Sequence, residues 1–168
     1  MWLVYSVEFF YDLNFGFLGI KPRSVEGLVG IFTAPLIHGN YLHLLSNTIP
    51  LLFLGAVLYF FYDRIGGIVF FRCYFYTNIL VWLFSPRPSY HIGASGLVYG
   101  LAAFLIFYGV IRQEFMSLLI SVIIFMIYGG IFYGMLPSDP QISWESHLAG
   151  VLVGTFTAFN LGQKRKHG

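Results

Sequence analysis

The chain has 168 residues, of which 58% are hydrophobic and only 10% are charged. A soluble domain carries about 25% charged residues, so this composition excludes a soluble globular domain. The formal net charge of +2 is too small to indicate a nucleic-acid partner, and the single cysteine, Cys73, cannot form an intramolecular disulfide. We therefore expect an all-α protein of the lipid bilayer, in which helices of about 20 residues cross the hydrocarbon.

Apolar stretches predict six transmembrane helices in a single membrane domain that covers residues 1–168. The approximate bounds of the predicted spans are 1–17, 41–61, 66–84, 94–111, 115–135 and 145–161. Glu8 and Asp12 interrupt the first stretch, whose uninterrupted part is too short to cross the bilayer. It also lacks the basic start of a signal peptide. We expect either a first helix truncated by missing residues upstream of Met1 or a short interfacial start.

Residues 19–40 are predicted to form a long interfacial loop, because charged residues interrupt their apolar residues. Lysine and arginine accumulate in the cytoplasmic loops of membrane proteins, and this bias sets the orientation. A cytoplasmic carboxyl terminus leaves five basic residues inside and three outside. Those inside are Arg64, Arg112, Lys164, Arg165 and Lys166, and those outside are Lys21, Arg23 and Arg87. The bias favours this orientation.

Ser95 and His147 are polar side chains at the starts of two strongly apolar spans, the fourth and the sixth. Polar groups in hydrocarbon are costly unless they are partnered, which makes them candidates for function. Both spans start on the same side, so we expect the two residues near the outer leaflet. If they meet, they form a nucleophile and its general base. We therefore interpret the chain as a protease that cuts peptide bonds within the bilayer.

Glycines accompany both side chains. Gly96 lies beside the Ser95 face of its helix, and His147 shares a stripe with Gly150 and Gly154. Glycine stripes let two membrane helices approach closely, as a short serine side chain requires if it is to reach a histidine. Taken alone, each glycine stripe more often marks ordinary packing between membrane helices than an active site.

His43 and Asn47 are four residues apart at the start of the second span, so they share one helix face near the outer leaflet. Both side chains can donate hydrogen bonds. Together with the backbone amide of Ser95, they could supply the hydrogen-bond donors of an oxyanion hole. The alternative is that they form hydrogen bonds that join neighbouring helices.

No carboxylate in a span is placed to orient His147, since Glu145 would face away from it on a helix. The sequence therefore predicts a Ser–His dyad without an acid. Tyr99, one turn from Ser95, could pack against the imidazole. The alternative is that Tyr99 is one aromatic residue among many, because the chain holds twelve tyrosines.

A metal or haem site is a different use for His38, His43 and His147. The sequence has no HExxH motif and no carboxylate at helical spacing from His43. We therefore expect no metal and no other cofactor.

Three motifs occur in a fixed order along the chain. They are HGNYLHLLSN followed by LLFLG (38–47 and 51–55), GASGLVYG (93–100) and SHLAG (146–150). On these motifs the chain resembles the rhomboid intramembrane serine proteases over residues 19–161. The resemblance implies a six-helix bundle around a water-filled cavity that opens to the outer side, in a bacterial inner membrane. Its substrates would be transmembrane proteins.

The resemblance also implies roles for individual residues. Ser95 would be the nucleophile and His147 the general base, while Asn47, His43 and the Ser95 amide would hold the oxyanion. The residues implied to support the site are His38 by hydrogen bonding, Tyr99 by stacking on His147, Gly93 and Gly96 in the serine motif, and Gly150 at the helix crossing. Residues 137–146 would cap the site, and the fifth span would admit the substrate.

The chain departs from the family pattern in its first loop. Many bacterial members have a Trp-Arg pair where this chain has Val29-Gly30, so the usual anchoring of that loop is in doubt. An alternative function is a non-catalytic rhomboid-like binder or chaperone of membrane proteins. Such proteins usually lack the serine or the histidine, and both are present here. A small transporter is a third option, but we find no inverted repeat in the sequence.

Overall fold

The computed structural model describes residues 1–137 and 143–164, and within these ranges the regular secondary structure is helical apart from one isolated β-bridge. The described residues form seven α-helices: α1 (Trp2–Tyr11), α2 (Gly30–Thr33), α3 (Tyr41–Phe61), α4 (Asp63–Phe84), α5 (Ser95–Arg112), α6 (Phe115–Tyr128) and α7 (Trp144–Lys164). A 3-10 helix, Gly129–Met135, directly follows α6. This agrees with the predicted all-α class.

Helix α5 is the centre of the bundle. Twelve of its eighteen residues are buried, and it packs against α3, α4, α6 and α7. Among the described residues, α3, α4 and α5 are long and apolar enough to cross a membrane. The outward faces of α3, α4 and α6 carry large exposed apolar side chains, as lipid-facing surfaces do. The chain is therefore an integral membrane protein.

Two predicted spans differ from the helices observed. The first, predicted over 1–17, ends as a helix at Tyr11, because Asp12 takes a left-handed conformation (φ 51°) and the Glu8 carboxylate accepts a hydrogen bond from the Phe15 amide at 2.7 Å. The fifth, predicted over 115–135, is α-helical only to Tyr128. The two glycines that follow weaken an α-helix, and the chain tightens into the 3-10 helix.

The other four predicted spans correspond to single helices. The span 41–61 coincides with α3, and the bounds of α4, α5 and α7 differ from those predicted by at most three residues. Residues 138–142 of the predicted cap, and Arg165 and Lys166 of the basic carboxyl-terminal run, lie outside the described residues.

The first loop, residues 12–40, is held against α4 and the loop that follows it. Its backbone pairs with that loop in the one β-bridge, where Ile20 and His91 exchange N–H···O bonds of 2.9 and 2.8 Å. Side chains of α4 also donate to its carbonyls, with Trp82 bonding Ser24 at 2.9 Å and Asn78 bonding Ile31 at 3.0 Å. These bonds anchor the loop without the Trp-Arg pair.

Candidate active site

A glycine turn places Ser95 at the first position of α5. Gly93, two residues earlier, has φ +103°, a conformation that other residues rarely adopt. A Cβ atom built on Gly93 would lie 2.6 Å from the Nε2 atom of His43. The turn therefore needs glycine for its conformation and for space, and it brings Ser95 beside the start of α3.

The backbones of α5 and α7 touch where their glycine stripes cross. A Cβ atom on Gly150 would lie 2.2 Å from the carbonyl oxygen of Gly96, and one on Gly154 would lie 2.1 Å from that of Gly100. The predicted close approach of the two stripes is therefore present. It brings the first turn of α7 against the first turn of α5.

Ser95 and His147 meet at this crossing. The Nε2 atom of His147 lies 2.9 Å from the hydroxyl oxygen of Ser95. The Nδ1 atom lies 2.8 Å from the carbonyl oxygen of Gly134, which can only accept a hydrogen bond. Nδ1 therefore carries the proton, and Nε2 offers its lone pair to the serine hydroxyl. This is the tautomer that a general base requires.

Tyr99 packs face to face on the imidazole. The ring centroids of Tyr99 and His147 are 3.9 Å apart, and the planes are inclined by 12°. Tyr99 is therefore stacked on the imidazole of His147 and is not merely one of the many aromatic residues of the bundle. The ring of His147 is held by a hydrogen bond at each nitrogen and by this stacking contact. His147 is buried, with 7% of its surface exposed.

The partner of Nδ1, Gly134, is a residue that sequence reasoning missed. It lies in the 3-10 helix after α6, and a Cβ atom on it would lie 2.0 Å from the hydroxyl oxygen of Tyr99 and 3.3 Å from Nδ1 of His147. A backbone carbonyl leaves no signature in a sequence. The sequence signal nearest to it was the glycine itself, one of three at positions 129, 130 and 134.

Asn47 and His43 face the same cavity as the serine. Asn40 caps α3, since its side-chain oxygen accepts from the His43 amide at 2.8 Å. The Asn47 amide nitrogen donates to the His43 carbonyl at 2.7 Å, which uses one of its two hydrogens. The cavity has a volume of about 760 Å³, and its lining includes both side chains together with Ser95, Tyr99 and His147.

His38 lies behind His43 and is only 2% exposed. The two imidazole rings meet edge to face, with centroids 5.0 Å apart. This ring contact is the packing observed for His38, and its expected support of the site by hydrogen bonding stays a prediction. Burial, with a smaller effect from His43, lowers the pKa of His38 to about 4.

Glu145 turns away from His147 and pairs with Arg87. The Nε atom of Arg87 donates to one carboxylate oxygen at 2.5 Å, and its Nη2 atom contacts the other. Within the described ranges no carboxylate is hydrogen-bonded to His147. Those ranges also hold no cluster of three histidine, cysteine or acidic residues able to bind a metal ion.

Comparisons with known proteins identify a family. The sequence profile of the Rhomboid domain matches residues 25–164. An uncharacterized protein of Mycobacterium tuberculosis is 34% identical over 178 aligned residues, which cover 95% of this chain and 71% of the relative. The chloroplast rhomboid-like protein 11 of Arabidopsis thaliana is 29% identical over 108 residues, 60% of this chain and 36% of that protein. No solved structure matches significantly. With its helical membrane fold and this match, the chain belongs to the rhomboid family.

Proposed function

We propose that this protein is an intramembrane serine endopeptidase that hydrolyses peptide bonds in or near the transmembrane segments of membrane proteins. Ser95 is the nucleophile and His147 the general base. The observation that carries the proposal is the 2.9 Å contact between the serine hydroxyl and the Nε2 atom, in a ring whose other nitrogen is committed to Gly134. Membership of a family that generally consists of serine proteases of the bilayer supports it.

In the first half of the reaction, the Ser95 oxygen attacks the substrate carbonyl carbon while its proton moves to Nε2 of His147. The carbonyl oxygen becomes an oxyanion, which accepts hydrogen bonds from the Ser95 amide and the side chains of His43 and Asn47. The tetrahedral intermediate then collapses, and the imidazolium gives its proton to the leaving amine. The amino-terminal part of the substrate remains as an ester on Ser95.

In the second half, His147 takes a proton from water, and the hydroxide attacks the ester carbonyl. The ester bond to Ser95 breaks, the serine oxygen recovers its proton from the imidazolium, and the carboxylic acid leaves. The chemistry needs water at the serine. The cavity supplies it, because it is large, partly open and lined in part by polar side chains such as Asn40 and Ser46.

The substrate must present its scissile peptide carbonyl in an unwound, extended stretch of backbone. In a stable transmembrane helix that carbonyl accepts a hydrogen bond within the helix and is not accessible. We therefore infer that favoured substrates have glycine, proline or polar residues that unwind the helix near the cavity. In this proposal α3, α4, α5, α6 with the 3-10 helix, and α7 cross the membrane, and α1, with ten residues, is the short or truncated first helix of the six-helix bundle. The carboxyl terminus is cytoplasmic, and the cavity opens to the outer side of a bacterial inner membrane.

The test is cleavage of a transmembrane reporter in liposomes. The protein is reconstituted with a single-span substrate that has a Gly-Pro step near its outer end, and the products are identified by mass spectrometry. We expect cleavage by the wild type and none by Ser95→Ala or His147→Ala. If folded wild type binds the reporter without cleaving it, the non-catalytic binder is the better account.

A further inference from the structure

The glycine crossing fixes how near α5 and α7 come to each other, because a Cβ atom on Gly150 or Gly154 would meet the backbone of α5. Gly96 and Gly150 touch through backbone atoms alone. Ser95 is the first residue of α5, and His147 is the fourth of α7. Helix ends fray, and a shift of about 1 Å can cost a hundredfold in rate. The position of the first turn of α7 relative to Ser95 therefore matters for the rate.

An ion pair joins that turn to the loop before α5. Arg87 lies in the loop 85–94, and Glu145 is the second residue of α7. The guanidinium and carboxylate meet through two parallel contacts, and the Glu145 side chain is only 5% exposed. A bidentate pair of this kind fixes direction as well as distance. Glu145 precedes His147 by two residues.

A chain of hydrogen bonds makes a second link between the same two segments. His91 stands in the middle, with Nε2 2.9 Å from the Ser85 hydroxyl and Nδ1 2.6 Å from the Ser143 hydroxyl. The Ser143 hydroxyl is also 2.7 Å from that of Ser146. The backbone carbonyl of Ser143 accepts from the His147 amide at 3.3 Å. Holding Ser143 therefore holds the turn that carries the imidazole.

The loop that receives both links is itself fixed. The backbone of His91 forms the β-bridge with Ile20, and the amide of Gly93 donates to the Ala34 carbonyl at 2.9 Å. The side chain of Arg23 donates to the Ser85 carbonyl at 2.7 Å. The loop is thus tied to the first loop on one side and continues directly into Ser95 on the other.

We propose that the Arg87–Glu145 pair and the Ser85–His91–Ser143 chain are positioning groups, which hold the first turn of α7 in register with Ser95. They act through His147 and do not touch the reacting atoms. This inference rests on the proposed function for its effect on rate. The arrangement of the imidazole that it predicts can be measured without activity.

The test compares Glu145→Gln with Glu114→Gln in liposomes. Glu114 forms the corresponding arginine–glutamate pair, with Arg112, at the opposite end of α5, so the same chemical change is made far from the cavity. We expect Glu145→Gln to lower kcat ten- to a hundredfold, on the order expected for a misplaced base, with KM changed by less than about twofold. Glu114→Gln should match the wild type in both constants.

Two further variants separate register from general stability. The reversed pair, Arg87→Glu with Glu145→Arg, should recover part of the lost kcat. The variant with both Arg87→Gln and Glu145→Gln should be no slower than the slower single variant, because the two residues act as one unit. A kcat equal to wild type in Glu145→Gln, or a loss that follows the thermal midpoint alone and is not recovered by reversal, would overturn the proposal.

Imidazole nitrogen-15 spectra of histidine-labelled protein give a readout that does not depend on cleavage. The His147 signals are assigned by their loss in His147→Gln. We expect Glu145→Gln to shift the Nε2 resonance away from its hydrogen-bonded position, while Glu114→Gln leaves it unchanged. If the wild type proves inactive, the proposed function fails, and this shift still decides the inference. An unshifted Nε2 resonance would reject it.

Discussion

The Nδ1 atom of His147 is held by the carbonyl oxygen of Gly134 at 2.8 Å, where many serine hydrolases use a carboxylate. A carbonyl fixes the tautomer and the plane of the imidazole but carries no full charge to stabilise the imidazolium. It also comes from the 3-10 helix after α6, so the orientation of the base depends on a segment outside α5 and α7. In the proposed enzyme, this segment completes the catalytic unit.

Gly134→Ala should strongly reduce activity. Its Cβ atom would lie 2.0 Å from the Tyr99 hydroxyl, so either the tyrosine or the carbonyl must move away from His147. We expect kcat/KM to fall by about two orders of magnitude, as for a misplaced catalytic group. Reporter cleavage measures it.

The controls for this substitution are close at hand. Gly130→Ala lies in the same 3-10 helix with open space around the new methyl group, and should leave the rate unchanged. Tyr99→Phe removes the hydroxyl in the clash, so adding it to Gly134→Ala should recover activity relative to Gly134→Ala alone. No recovery in the double variant would show that the clash is not the cause.

Gly150→Ala should impair both folding and activity. The methyl group would lie 2.2 Å from the carbonyl oxygen of Gly96 and would force α5 and α7 apart. Overpacking of this kind costs about 1–3 kcal/mol, so the thermal midpoint in detergent should fall. Gly55→Ala, in open space on α3, is the matched control and should not lower it. Equal midpoints for the two variants would contradict the crossing described.

Asn47→Ala should reduce kcat by about 10²- to 10³-fold with little change in the thermal midpoint, since it removes a proposed oxyanion donor. Thr48→Val is the control, because its hydroxyl also bonds the carbonyl four residues earlier but does not line the cavity. This variant also removes the 3.1 Å hydrogen bond from the Trp2 indole, so its thermal midpoint is measured alongside its activity. Steady-state kinetics on the reporter distinguish the two. If both variants lose activity equally, Asn47 contributes to the helix rather than to the oxyanion.

Stability should fall as the pH is lowered from about 6.5 toward 4, and His38 should contribute. Burial holds its pKa at about 4 in the folded chain, against 6.5 for an unperturbed histidine, and burial also lowers the pKa of His91. The unfolded chain therefore binds protons first, which favours unfolding over this interval. Thermal midpoints at pH 7 and pH 5 measure the effect. His38→Gln should show a smaller drop, and a drop as large as in the wild type would exclude a contribution from His38.

Much of the site follows from the sequence because it depends on local spacing. Helical periodicity places Tyr99 one turn from Ser95, and the structure brings Tyr99 onto His147. The glycine stripes likewise predict the crossing of α5 and α7, since small residues that recur on one face have a direct packing consequence.

The sequence could not reveal the groups that act from a distance. Gly134 acts through its carbonyl, and every residue has one. Arg87 and Glu145 are 58 residues apart in the sequence. Arg87 is predicted only to be a charged residue in a loop and Glu145 only to be an acidic residue at the start of a helix, so their pairing is not predicted. For the first helix, the sequence indicated an interruption at Glu8 and Asp12 but not the place of the helix end. Asp12 in its left-handed conformation and the hydrogen bond from the Phe15 amide to Glu8 set that end at Tyr11.

The most direct test of the central claim is the reaction of Ser95 with a fluorophosphonate. Purified protein in detergent is treated with the probe, and intact mass and peptide mapping locate the adduct. The account predicts one adduct per chain on Ser95, none in Ser95→Ala, and a rate in His147→Ala reduced by orders of magnitude because the serine loses its base. A folded, monodisperse wild type that stays unmodified, or an adduct on another serine, would contradict it.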